Sequence, residues 1–137
     1  MSKRPKKRDE ERKTEAESNF NVLVRAYVFA EKVLNSTFSK EILGKLIHAQ
    51  TMYAWTPGPD LFCTLYSGTS AGCLGRRLMM QFVAHNAHFT EQSEWGTYLE
   101  GFPRELLIDV TKAMSRLRSY ISQRPWTKLG QGYLDEI

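Results

Sequence analysis

The sequence predicts an all-α fold: a small single-domain bundle of about four main helices over residues 19–137, preceded by a disordered basic arm over residues 1–18. Three observations carry this. Apolar residues recur at helical spacing over residues 39–55 and 103–122, which buries one face of each helix. No two segments alternate in the way a pair of half-buried strands would. Prolines and glycines interrupt the periodic segments at Thr56-Pro57-Gly58-Pro59 and again at Pro125, where a helix cannot continue. A chain of 137 residues fits one domain and buries roughly two-thirds of its unfolded surface, so it folds without covalent staples.

Taken in order, residues 1–18 hold almost no large apolar groups and are rich in Lys, Arg and Glu. Such a segment buries too little surface to offset the entropy of ordering, and any helical turn in it begins near Asp9. From Phe20 to Leu34 apolar residues come almost everywhere, leaving Asn21, Arg25, Lys32 and Asn35 as a thin polar stripe. That pattern predicts a helix buried on most sides, capped by Ser18 or Asn19; the run Val22–Val24 also suits a strand. A short link with the cap candidates Thr37 and Ser39 leads to a second helix, whose apolar face is Ile42, Leu43, Leu46, Ile47, Gln50 and Tyr53. So short a link predicts an antiparallel hairpin.

Asp60 is placed to cap a short helix carrying Leu61, Phe62, Leu65 and Tyr66, and the small residues Ser67–Gly72 end it. A third main helix runs from about Cys73 to His85, with Leu74, Leu78, Phe82 and His85 on one face and Met79 and Val83 beside it. Gly72 and Gly75 near its start predict close approach of a neighbouring helix. Residues 90–101 hold one irregular turn capped by Thr90. Pro103 suits the first position of the last and most regular helix, whose stripe is Leu106, Leu107, Val110, Met114, Leu117 and Ile121. The tail beyond Pro125, with Trp126, Leu129, Tyr133, Leu134 and Ile137, is apolar enough to dock.

The net charge of +4 conceals three basic segments. Lys3, Arg4, Lys6, Lys7 and Arg8 precede the first acid; Arg76 and Arg77 stand alone between Asp60 and Glu91; Lys112, Arg116, Arg118, Arg124 and Lys128 fill the interval between Asp109 and Asp135. Segregated positive charge attracts polyanions whatever the sum over the chain. Lys112 and Arg116 lie one turn apart, away from the apolar stripe, while Arg118 and Arg124 also suit a helix C-terminus electrostatically. Tyr120 and Trp126 interleave with these cations and are candidates for stacking on bases.

Other chemistries find less support. Cys63, Cys73, His85 and His88 lack the close pairing that zinc sites use, so no metal and no cofactor are expected. Ser67–Gly72 precedes a helix, whose start accepts a phosphate, but the Gly-Lys-Ser/Thr ending of a P-loop is missing. No nucleophile motif surrounds either cysteine; both read as buried thiols, and no catalytic residue is assigned. No apolar run approaches the ~20 residues that cross a bilayer, and no apolar segment follows the basic N-terminus, so a cytoplasmic location is expected, or a nuclear one in a host with a nucleus. The function these features predict is non-catalytic: a nucleic-acid-associated helical protein that contacts an RNA or DNA phosphate backbone as a subunit or accessory factor of a nucleoprotein assembly. The alternative is an adaptor or inhibitor whose basic patch meets an acidic protein partner. Either allows a homo-oligomer.

Overall fold

A computed structural model describes residues 4–87 and 93–118, with side chains from residue 8 onward. Six helices follow one another: α1 (Arg4–Lys32), α2 (Ser36–Tyr53), α3 (Pro59–Gly68), α4 (Leu74–Asn86), α5 (Glu94–Tyr98) and α6 (Arg104–Leu117). Among the described residues there is no strand, so the all-α bundle is the fold. Four helices are long, and α3 and α5 are the short ones. No helix among the described residues is long and apolar enough to cross a membrane.

The largest departure from the sequence expectation is at the start. In place of a disordered arm over residues 1–18, α1 runs unbroken from Arg4 to Lys32. Extending a helix that is already nucleated adds one hydrogen bond per residue fixed, and the packed half of α1 supplies the nucleus. Pro5 falls in the first turn, where its missing N–H is harmless. Long-range contacts then reach back along the helix. Ala16 is fully buried, Arg12 donates to the Met52 carbonyl and lies 5.8 Å from the centre of the Tyr53 ring, and Lys13 meets Glu94 at 3.7 Å.

The contacts of Arg12 with Met52 and of Asn19 with Tyr53 join the first half of α1 to the end of α2, so the two helices form the predicted antiparallel hairpin. Its corner turns at Leu34, with φ 57°. Asn35, not Thr37 or Ser39, caps α2, its Oδ1 accepting from the Phe38 N–H at 3.0 Å. Ala54 closes α2 in the left-handed region. Pro59 opens α3 with Asp60 in its first turn, where a carboxylate complements the helix dipole. Ser93 caps α5, accepting from Gly96 N–H at 3.3 Å; Thr90 lies outside the described residues. Pro103 sits one position earlier than expected, as the residue preceding α6.

The core joins Phe20, Val24 and Tyr27 of α1 to Leu46 of α2, Phe62 and Leu65 of α3, Met79 and Val83 of α4, and Leu106 and Val110 of α6. Four faces differ from expectation. α1 is not buried on most sides: Val22 and Phe29 are 64% and 59% exposed, as are Val33 and Leu34 just beyond its end at 52% and 89%. On α2, Ile47 is 50% exposed and Ala49 is buried in its place. α4 is rotated from its apolar pattern, burying Gly75, Arg76, Met79, Met80, Val83 and Ala84 and leaving Leu74 exposed. The α6 stripe is buried at Leu106, Val110 and Ala113, and Met114 is half-buried against the core, while Leu117 is 49% exposed.

Candidate functional site

The adjacent arginines of α4 take opposite roles. Gly75 lets α1 come close: a Cβ there would lie 2.2 Å from Tyr27 Cε2, and its N–H donates to Tyr27 Oη at 2.8 Å. That approach turns the next residue, Arg76, inward, where it is 7% exposed. Its guanidinium donates to the Tyr66 carbonyl at 2.5 Å, to the Thr69 carbonyl, to Thr69 Oγ1 at 2.9 Å and to Glu105 Oε2 at 2.8 Å. It also stands 4.6 Å from the Tyr66 ring centre. Tyr66 is in the last turn of α3 and Thr69 follows the helix, so Arg76 satisfies carbonyls that a helix end leaves unpaired. Arg76 is therefore withdrawn from the phosphate-contacting set: its donors are consumed inside the fold. Arg77 is exposed.

α4 packs on α6, and Arg77 shares a cavity of about 300 Å³ with Ile108 and Asp109. On α6, Glu105, Asp109, Lys112 and Arg116 follow at i, i+4, i+7 and i+11, so acids head this face and cations end it, in the sense that complements the helix dipole. Lys112, Arg116 and Arg118 are exposed. Among the described residues the ion pairs are Lys13–Glu94 and Arg76–Glu105, so no described carboxylate comes within ion-pair distance of Arg77, Lys112, Arg116 or Arg118, although Asp109 shares the cavity of Arg77. Arg4, Lys6 and Lys7 occupy the first turns of α1, and Arg8 is exposed there. Lys3, Tyr120, Arg124, Trp126 and Lys128 lie outside the described residues.

A second concave feature is absent from the sequence expectations. A cavity of about 490 Å³ lies between α1, the loop around Pro57 and the start of α3. Trp55, Pro57, Pro59 and Tyr98 supply apolar walls, and Glu17, Arg25 and Asp60 supply charge. Trp55 rests on buried Phe20, with ring centres 5.8 Å apart. Tyr98 is held by Trp95 and Phe102 at 5.9 and 6.1 Å. Arg25 Nε donates to Asn21 Oδ1 at 2.9 Å. The Tyr98 hydroxyl titrates above the usual tyrosine range, because burial penalises its anion and the Glu94 and Glu17 carboxylates repel it. The i, i+4, i+8 spacing of Glu17, Asn21 and Arg25 was the available signal; the other walls come from distant parts of the chain.

The cysteines differ from expectation. Cys63 is exposed and Cys73 half-buried, and both are free thiols; Cys63 Sγ donates to the Gly101 carbonyl at 3.6 Å. Among the described residues no three His, Cys, Asp or Glu side chains gather as metal ligands, and His88 lies outside them. Tyr27 and Tyr66 are each raised well above the usual phenol range, foremost by burial. Compared with known proteins, the chain matches no family model, and neither a similar curated protein nor a similar solved structure is found.

Proposed function

We propose that this protein is a non-catalytic, nucleic-acid-associated helical protein that grips a phosphate backbone as a subunit or accessory factor of a nucleoprotein assembly. The observation that supports this most is the set of exposed cations Arg77, Lys112, Arg116 and Arg118 on the paired helices α4 and α6, none of them ion-paired to a described carboxylate. Phosphate contacts need charge at the right reach and carry no base information, and exposed Lys and Arg near a helix end supply it. The basic first turns of α1 add a second point of contact, at the tip of a 29-residue helix about 43 Å long.

The test is the salt dependence of binding to single- and double-stranded oligonucleotides. Replacing Arg77, Lys112, Arg116 and Arg118 together with Gln removes up to four phosphate contacts. The slope of log K against log salt then flattens by about 3–4 units, at ~0.7–0.9 per contact. An unchanged slope removes this surface from the reading. A second reading, an adaptor that docks on a protein, draws on a different observation: Val22 and Phe29, seven residues apart on α1, and Val33 just beyond its end are all more than half exposed. Large apolar groups left in water along one helix face mark interaction surfaces. Nucleic-acid binding that is absent at low salt, with a stoichiometric complex on a protein partner lost in Phe29→Glu, would favour the adaptor.

A further inference from the structure

The cavity beside Trp55 has two chemically different ends. Glu17 and Arg25 are eight residues apart on α1, about 12 Å along the helix axis. At one end stand the Glu17 carboxylate and the Tyr98 ring, with Glu94 acting on the Tyr98 hydroxyl. At the other end is Arg25, whose Nε is engaged by Asn21 and whose remaining N–H groups have no partner among the described residues. Asp60 adds a second carboxylate from the first turn of α3. Neither Glu17 nor Asp60 is ion-paired among the described residues, and Arg25 does not pair with either although all three line the same cavity.

The walls between these ends are aromatic and prolyl. Trp55 is backed by Phe20, and Tyr98 by Trp95 and Phe102, so both rings are set in place before anything binds. Pre-set walls lower the ordering cost of association. Aromatic faces beside carboxylates suit an ammonium or guanidinium group, which gains a cation–π contact and a charge-assisted hydrogen bond together. Proline rings and aromatic faces also suit an extended, proline-bearing backbone. A chain rising ~3.3 Å per residue covers the 12 Å in about four residues.

We infer that this groove docks an extended segment of a partner protein, with a Lys or Arg side chain seated against Glu17, Asp60 and the aromatic walls, and with an acidic group about four residues away on Arg25. The carboxylates decide the class of occupant. Two lining carboxylates, Glu17 and Asp60, stand against one lining cation, Arg25, so the groove favours an occupant that brings a cation over a phosphate backbone that brings none. This site is separate in residues and in charge from the cations of α4 and α6, so it stands or falls independently of the proposed nucleic-acid contact.

The experiment uses the full ¹⁵N-labelled chain and a pool of acetylated, amidated pentapeptides with Arg first, Glu last, and Pro or Leu between. The expected result is a shift of the Trp55 indole and of the Asn21, Gly58 and Thr64 amides. Affinity should fall at least about tenfold for the same pool with Glu at both ends, and by a similar factor in Glu17→Gln/Asp60→Asn, as expected for lost charge-assisted contacts. Both substituted side chains are exposed, so the variant keeps its fold, which its unchanged remaining amide spectrum verifies. The inference is overturned if the Arg–Glu pool leaves these resonances still, or if the Glu–Glu pool binds as tightly. It is equally overturned if a thymine oligonucleotide moves them and the peptides do not, which would make the groove a base-stacking site.

Discussion

Replacing Arg76 with Met tests whether this arginine is structural or a ligand contact. Met keeps most of the methylene stem in place and removes every donor. The carbonyls of Tyr66 and Thr69 then lose a charged partner in a site that is 7% exposed at Arg76. A buried acceptor left unpaired costs about 1–3 kcal/mol, and two of them, partly relieved by relaxation, cost about 2–4. The Glu105 contact adds little, because Glu105 is 66% exposed and pairs of that kind contribute about 0–1 kcal/mol. The sum is about 3 kcal/mol, or a fall in Tm on the order of 10 °C for a domain of this size. Urea unfolding followed by far-UV circular dichroism measures it, as a lower midpoint at unchanged slope. Arg76→Lys should fall between, since an ammonium reaches one carbonyl but lacks the planar fork. Arg77→Gln, next along the chain, should change stability by less than about 0.5 kcal/mol while weakening polyanion binding. A loss below about 1 kcal/mol in Arg76→Met, or an Arg76→Met protein that is stable yet binds nucleic acid as poorly as Arg77→Gln, would show that Arg76 is a ligand contact and not a structural one.

Gly75→Ala should destabilise by about 1–3 kcal/mol despite the better helix propensity of Ala, because its Cβ meets the fully buried Tyr27 ring at 2.2 Å; a stabilised variant in the same urea assay would contradict the close approach. Leu106→Ala should cost about 2–5 kcal/mol, since Leu106 is fully buried, whereas Leu117→Ala, at a residue 49% exposed, should cost less than about 1; equal losses would show that the last turn of α6 is covered. Burial raises the phenol pKa of Tyr27 and Tyr66 above the ordinary value of 10.0. Both remain protonated in the folded state while the unfolded chain ionises, so their stabilising effect is full below about pH 10 and is lost as pH rises beyond it. Tyr66 Oη has no hydrogen-bond partner among the described residues, so Tyr66→Phe should be neutral or stabilising by up to about 1 kcal/mol and should lessen the alkaline loss; melting at pH 8 and pH 11 measures both.

The class of fold and the places where helices break are written locally along the chain. Period and proline are local signals: Ile42 and Leu46 one turn apart on α2, the Pro57–Pro59 interruption and Pro103 before α6 each act within a few residues. Of the two glycines from which close approach was expected, Gly75 meets Tyr27, whereas Gly72 has nothing within 4 Å and instead adopts a left-handed φ of 81° that favours glycine. Which face each helix turns inward, and toward which neighbour, is set by packing across the core. Val22 and Phe29 are as apolar as Val24 and Phe20, yet the latter two are fully buried and the former more than half exposed on the same helix. Leu117 continues the apolar stripe in sequence, yet it is 49% exposed where Leu106 and Val110 are buried. Arg76 and Arg77 are chemically identical, and one turns inward because Gly75 admits α1 and because the end of α3 presents carbonyls with no partner of their own. The groove beside Trp55 was illegible for the same reason: its carboxylates and aromatic walls come from α1, a loop, α3 and α5. No local pattern records that such distant segments meet, since their meeting is set by packing across the core.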